Sequence, residues 1–124
     1  MVRESAAIIL GSLGAQATSA IPHLRAALAD QTPHVRLQAA YALWQVDHSL
    51  GGEVVPILME LHTNQYNFKY YTCLYFGEIG QEAKAAIPLV RASLTDSNPN
   101  TRENARHALE KLQPTAISGS VGNH

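Results

Sequence analysis

The chain has 124 residues, 46% of them hydrophobic and 15% charged, which is enough for one compact domain and too few for two. Nine Lys and Arg against ten Asp and Glu give a formal net charge of -1, which disfavours nucleic acid and anionic membrane surfaces as partners. Because Cys73 is the single cysteine, an intramolecular disulfide and CxxC metal or redox motifs are excluded, and packing must hold the fold together.

The apolar stretches of the chain are short. None approaches the roughly 18 residues that a membrane span requires, so we expect no membrane crossing. The first five residues, Met1 to Ser5, contain no basic segment that leads into a long apolar run. This start predicts no secretory signal and favours a cytoplasmic location.

Apolar residues recur with the 3.6-residue period of amphipathic helices, for example at Val35, Ala39 and Leu43. In chain order, this pattern predicts a first helix at about 2 to 13, followed by three helical hairpins. The hairpins pair helices at about 18 to 30 with 33 to 46, 52 to 63 with 66 to 79, and 83 to 95 with 99 to 112. No segment alternates with a period of two residues, so no strand is expected.

Proline and glycine mark the predicted helix ends. Thr32 before Pro33 and Asn98 before Pro99 each place an N-cap residue before a proline in the first turn, which starts the second helix of a hairpin. Glycines lie between successive repeats, where a left-handed helix end favours a residue without a Cβ atom. These glycines are Gly14, the pair Gly51 and Gly52, and Gly80.

An offset of 33 residues aligns the chain with itself without a gap. We call each set of positions related by this offset a column. The basic column contains Arg3, Arg36, Lys69 and Arg102, and a column of small residues contains Ala6, Ala39, Thr72 and Ala105. Two apolar columns contain Leu10, Leu43, Phe76 and Leu109, and Leu13, Val46, Ile79 and Leu112. Because Met1 stands where the second half of a repeat begins, we expect the chain to start inside a longer array.

The predicted fold class is therefore all-α, an α-solenoid of three complete helical hairpins plus one leading helix. Residues 1–113 are predicted to form one repeat domain, with units at about 1–14, 15–47, 48–80 and 81–113. Residues 114–124 have neither periodicity nor caps and are predicted to be a disordered tail.

The repeats resemble HEAT repeats, in the short bacterial form described as the phycobilisome-lyase-type (PBS lyase) HEAT-like repeat. One copy of the pattern is Ala20-Ile21-Pro22-His23-Leu24, Ala27-Leu28-Ala29-Asp30, Val35-Arg36, and Ala39-Ala40 with Ala42-Leu43. A second copy is Ala86-Ile87-Pro88-Leu89-Val90, Ser93-Leu94-Thr95-Asp96, Thr101-Arg102, and Ala105 with Ala108-Leu109. The resemblance covers residues 2–113 and implies an armadillo-like helical fold, found in scaffolds, chromophore lyases and accessory domains of enzymes.

The resemblance also implies a ladder of acidic and basic side chains between neighbouring repeats. Asp30 with Arg36 matches this ladder, and so does Asp96 with Arg102. At the third unit the ladder is expected to weaken, because Thr63 replaces the acid and polar and aromatic residues fill positions 64 to 73. We favour this structural role of the basic column over the phosphate contacts of HEAT-like DNA glycosylases.

No catalytic or metal-binding constellation is predicted, and no cofactor. The histidines are His23, His34, His48, His62, His107 and His124, each interpreted as an isolated surface residue. HEAT-like deoxyhypusine hydroxylases bind iron through His-Glu pairs, and this sequence contains no His-Glu dipeptide. Cys73 aligns with Ala7 and Ala40, so we expect it to pack in the core rather than act as a nucleophile or a bilin attachment site.

The candidate binding residues are outward positions of the second helices, which line the concave side in stacked HEAT hairpins. We call them the aromatic strip: Leu37, Tyr41, Trp44, Tyr70, Tyr71, Leu74, Glu103 and His107. Exposed apolar and aromatic patches usually mark interaction sites, and Trp44 is expected to lie beside a pocket left by Leu74 and Gly77. In the alternative, the tyrosines fill gaps between hairpins or pack under neighbouring sequence.

The sequence thus predicts a non-catalytic scaffold that binds a protein or peptide on this concave strip, as a domain of a larger protein. The alternative is a bilin lyase or a lyase-associated subunit, in which the strip would hold a tetrapyrrole. A purely structural spacer is the third interpretation. The first helix lacks the other helix of its hairpin, so self-association through this N-terminal end is also expected.

Overall fold

The computed structural model describes residues 2–113, without the side chains of Val2 and Tyr66. Within this range seven α-helices occur and no strand. They are α1 (Val2–Ser12), α2 (Ile21–Ala27), α3 (Pro33–Val46), α4 (Gly51–Asn64), α5 (Lys69–Ile79), α6 (Ile87–Ala92) and α7 (Pro99–Leu112). Short 3-10 segments cover Gly14–Ala20, His48–Leu50, Tyr66–Phe68, Gly80–Ala86 and Ser93–Thr95. None of these helices is long and apolar enough to span a membrane. The predicted tail at 114–124 lies outside the described residues.

The second helices and α4 follow the prediction closely, and the first helices of the other two hairpins do not. Helices α3 and α7 begin at Pro33 and Pro99, where proline fits the first turn because its missing N–H has no partner there. The predicted helices at 18–30 and 83–95 are instead divided into a 3-10 segment and a short α-helix. Pro22 and Pro88 account for this division, since neither has the N–H that a continuous helix would use at that point.

Two of the predicted glycine helix ends are confirmed and one is wrong. Gly14 and Gly80 have positive φ angles of 59° and 81°, the left-handed region that favours glycine. Gly51 has a helical φ of -54° and begins α4 instead of ending a helix. The chain starts this helix through Asp47, whose side chain accepts from the backbone N–H of Ser49 and sets up a 3-10 turn that runs directly into α4.

The described residues fall into two compact units, divided inside α4 between Leu61 and His62. In the first unit, α1 and α2 both pack on α3, whose Val35, Ala39 and Leu43 are fully buried. Gly11 allows α1 to approach closely, because a Cβ atom at this position would lie 3.0 Å from the Cβ of Ala42. The single domain predicted for residues 1–113 stays a prediction.

The second unit repeats this packing. Helices α5 and α6 both pack on α7, and Phe76 is the largest fully buried side chain. Gly77 allows the same close approach of α5 and α7 that Gly11 allows in the first unit, because a Cβ atom here would lie 3.1 Å from the Cα of Ala108. Each unit therefore joins its second helices through a glycine that faces an alanine.

The side chains of the basic column connect the two helices of a hairpin through hydrogen bonds to backbone carbonyls. Arg36 donates to the carbonyl of Asp30 at 2.5 Å, Arg102 to that of Asp96 at 2.8 Å, and Lys69 to that of His62 at 2.8 Å. Lys69 thus makes the same kind of bond as the two arginines, since a carbonyl does not require an acidic side chain, and the expected weakening of the acid–base ladder at Thr63 stays a prediction. The carboxylate of Asp30 instead pairs with Arg3, one repeat earlier, at 2.6 Å.

Candidate functional site

The first unit carries three residues of the aromatic strip, and one of them is not accessible to solvent. Leu37 is fully buried, so its predicted place on an exposed surface is wrong. The physical reason is that α3 packs against both α1 and α2, which buries a wider face of the helix than the repeated columns indicated. Tyr41 and Trp44 are half-buried, so part of each ring reaches solvent.

Three rings are stacked at the end of α3. Trp44 lies nearly parallel to His48, with 4.1 Å between ring centroids and 7° between planes. The ring of Tyr41 also stacks on that of Trp44, with 6.1 Å between ring centroids and 22° between planes. His48 was not among the predicted site residues, although its distance of four positions from Trp44 could have suggested the contact. The stack fixes the indole orientation before any partner binds.

The second unit carries the other strip residues. On α5, Tyr71 and Leu74 are exposed and Tyr70 is half-buried. The rings of Tyr70 and Tyr71 meet edge to face at 5.1 Å, and Tyr71 also contacts Tyr75. The outward placement of these residues agrees with the sequence pattern, and their role in binding stays a prediction.

A cleft of about 210 Å³ lies between α5 and α7. Its apolar lining comes from Leu74, Gly77 and Ala108. The polar lining consists of Glu78, Asn104, His107 and Lys111. A Cβ atom at Gly77 would lie 3.1 Å from the Cα of Ala108, and the predicted pocket for Trp44 beside Leu74 and Gly77 stays a prediction. The cleft can take an apolar side chain on its lining and polar groups at its edge.

The predicted strip ends in a charged cluster on α7. Glu103 accepts hydrogen bonds from Arg106 and from Nε2 of His107, the latter at 2.8 Å. The Arg106 bond, followed by the His107 bond, lowers the pKa of the Glu103 carboxyl below its usual value. All three side chains are exposed, so this cluster presents a fixed carboxylate and two donors to solvent.

His62 is buried, with 2% exposure, which corrects its interpretation as a surface histidine. Its Nδ1 lies 2.6 Å from Oγ1 of Thr72, which itself donates to the carbonyl of Phe68 at 3.1 Å. With the hydroxyl proton used there, we assign the imidazole Nδ1–H as the donor to Thr72. Burial, with a smaller contribution from Lys69, lowers the pKa of His62 to about 4, so the ring is neutral near pH 7. The signal in the sequence was Thr72, a polar residue in a column of alanines.

Cys73 is fully buried, and this burial raises the pKa of its thiol, which keeps it protonated. These properties agree with the predicted packing role. Among the described residues, no group of three or more His, Cys, Asp or Glu side chains is arranged to hold a metal ion.

Two family models match the N-terminal residues. Residues 2–30 match the PBS lyase HEAT-like repeat, and residues 20–47 match the HEAT repeat. The N-terminal part of the chain is similar to HEAT repeats. The match to the HEAT repeat contains α2 and α3, and the match to the PBS lyase HEAT-like repeat contains α1 and α2. Both divisions are possible because, in an array of stacked helices, a repeat can be counted from either helix of a hairpin.

These matches and the helical structure confirm the predicted resemblance in this part of the chain and the predicted fold class, an all-α solenoid. HEAT repeats typically mediate protein–protein interactions, and HEAT repeat scaffolds are generally non-catalytic. No curated protein and no solved structure gives a match.

Proposed function

We propose that this chain is a non-catalytic scaffold that binds a protein or peptide on the exposed face of its second helices. One observation carries the proposal: one column of largely apolar and aromatic side chains is at least partly exposed in each of α1, α3, α5 and α7. It contains Ile8, Tyr41, Leu74 and His107. Three of these four side chains are apolar or aromatic, and aligned apolar side chains in contact with water are typical of interaction sites.

The α5–α7 cleft supports the same function. Its floor of Leu74, Gly77 and Ala108 offers apolar contact, and Lys111 and Glu78 at its edge offer charges of both signs. This combination suits a peptide that inserts one apolar side chain and places polar groups at the rim. The tendency of HEAT repeats to mediate protein interactions points in the same direction.

Two exposed leucines permit a matched test. Leu74 on the second-helix face is 38% exposed, and Leu94 in the 3-10 segment after α6 is 37% exposed. Peptides are first selected from a random display library on the immobilised full chain, and their affinity is then measured on Leu74→Glu and Leu94→Glu. We expect Leu74→Glu to weaken binding by about tenfold or more and Leu94→Glu to leave it unchanged. Equal effects of the two changes, or failure to select any peptide, would contradict the proposal.

Trp44 tests the first unit separately. If α3 contributes to binding, Trp44→Ala should weaken the affinity for such a peptide by about 2 kcal/mol and change the melting temperature little. A lower melting temperature with unchanged affinity would show that the indole is a structural plug and would remove α3 from the site. His23→Ala, a change at an exposed ring in the same unit, serves as the control.

The match of residues 2–30 to the PBS lyase HEAT-like repeat favours a second candidate, a bilin lyase or lyase-associated subunit. An aromatic surface would then hold a tetrapyrrole while another protein is modified. Mixing the full chain with a free bilin distinguishes the two functions. A change in bilin absorbance and fluorescence that Trp44→Ala abolishes would support the second candidate, and unchanged spectra would support the first.

A further inference from the structure

Helix α1 exposes positions that the other second helices bury. Ala6 is exposed, whereas Ala39, Thr72 and Ala105 in the same column are fully buried. Leu13 is 48% exposed, whereas the three other members of its column are at most 9% exposed. The repeat therefore provides α1 with an apolar face that has the composition of an interior surface and is open to solvent.

This face borders a cleft of about 350 Å³ between α1 and α2. Most of its lining is apolar, with Ala6, Ala7 and Leu10 from α1 and Leu24 and Ala27 from α2. Among the described residues, no other helix lies over this part of α1 in the way that α2 lies over α3.

In two places in this chain, a helix covers the surface that corresponds to the open face of α1. Helix α2 packs on α3, and α6 packs on α7. Both belong to amphipathic segments with aliphatic residues at the spacing i, i+3 and i+7. These residues are Ile21, Leu24 and Leu28 in one segment, and Ile87, Val90 and Leu94 in the other. The open face of α1 thus has a defined complement, an amphipathic helix of this pattern.

Arg3 supplies charge complementarity to such a helix. Its column equivalents Arg36, Lys69 and Arg102 each donate to a backbone carbonyl in the last turn of the preceding helical segment or shortly after it. Arg3 lines the α1–α2 cleft and is largely exposed, and within residues 2–113 its guanidinium pairs with Asp30 alone. A guanidinium has five donors, and the carbonyl end of a helix carries partial negative charge, so Arg3 can receive a helix C-terminus there.

We propose that an amphipathic α-helix with the aliphatic pattern of α2 and α6 docks in the α1–α2 cleft, with its C-terminal carbonyls on Arg3. The docked helix runs antiparallel to α1, since Arg3 stands at the N-terminal end of that helix. This surface is distinct from the second-helix face proposed for peptide binding, so the two proposals stand or fall independently.

The repeat register provides a test within one chain. A copy of residues 15–33 fused directly before Met1 restores the 33-residue spacing, because residue 34 and Met1 are column equivalents. We expect this fusion to raise the thermal midpoint and to slow amide exchange in α1 by about tenfold or more. Leu24→Glu within the fused copy should abolish both effects. Arg3→Gln should reduce them, and Arg3→Lys should restore them, because Lys69 makes the equivalent bond.

Binding in trans is tested with the same segment as a labelled synthetic peptide and the full chain. Anisotropy should show saturable binding that Ala6→Glu weakens by about tenfold and that Ser5→Glu, at the next and also exposed position, does not. A fused copy with Leu24→Glu that stabilises the chain as much as the intact copy would overturn the proposal. A dimer in sedimentation that Ala6→Glu dissociates, without peptide binding or stabilisation by the fused copy, would assign the face to a second copy of this chain and also overturn it.

Discussion

The buried His62 is expected to make the stability of the second unit depend on pH. In the folded chain its pKa is lowered to about 4, whereas an unfolded histidine titrates near 6.5. Between these values the unfolded chain binds more protons than the folded chain, so the free energy of unfolding falls as pH decreases through this window. Below about pH 4 both states are protonated at His62, so the free energy of unfolding no longer changes with its titration and the full destabilisation remains.

The magnitude follows from the size of this shift. The difference between pKa values of about 4 and 6.5 corresponds to about 3 kcal/mol, and we expect about 2 kcal/mol after partial relaxation around the charged ring. The groups that face His62 act in opposite directions, since the positive charge of Lys69 lowers its pKa and the negative charge of Asp96 raises it by less. Desolvation is the largest cause, so salt should change the effect little.

Urea unfolding at several pH values between about 7 and 4 measures this contribution in the intact chain and in His62→Asn. Asparagine keeps an amide donor for Thr72 and cannot titrate, so the variant should show a shallower pH dependence whatever its absolute stability. His23→Asn, at an exposed position, serves as the control and should retain the slope of the original chain. Equal slopes for His62→Asn and the original chain, or an imidazole pKa above about 6 by NMR, would refute the reasoning.

Three further experiments test the packing and the helix starts. Leu43→Ala should cost about 2–5 kcal/mol in urea unfolding because the side chain is fully buried, and an unchanged midpoint would contradict the repeat register. Gly77→Val should lower the melting temperature by crowding α7, whereas the same change at Gly52, where nothing lies within 4 Å, should have little effect. Asn98→Ala should cost about 1 kcal/mol because Asn98 caps α7, and Thr32→Ala should cost less because its side chain makes no cap bond; equal costs would contradict this assignment.

The parts of the fold that the sequence predicted well are those fixed by local chemistry. Pro33 and Pro99 can occupy the first turn of a helix and little else, so α3 and α7 begin where expected. The first helices predicted at 18–30 and 83–95 were less predictable, because their apolar period continues across Pro22 and Pro88. Periodicity does not distinguish a continuous α-helix from a 3-10 segment followed by a short helix, and the backbone constraint of proline decides between them.

The candidate site was predicted less completely, because exposure depends on what packs on each flank of a helix. Leu37 stands in the same column as Glu4 and Tyr70, and nothing in that column indicates burial. It is buried because two helices contact α3. Thr72 shows the converse case, in which a polar residue in a buried column required a partner, and that partner proved to be His62.

The repeated columns explain why the sequence identifies an architecture more readily than a partner. The basic column is used for hairpin closure through backbone carbonyls, and glycine with alanine sets the approach of neighbouring helices inside each unit. These are requirements of stacking, so any protein built this way shares them. Trp44 breaks this rule, since it occupies the column of Gly11 and Gly77 with the largest side chain available. The packing pattern of those two glycines does not call for an indole, and for this reason the paired measurement on Trp44→Ala is the most direct test of whether α3 binds a partner.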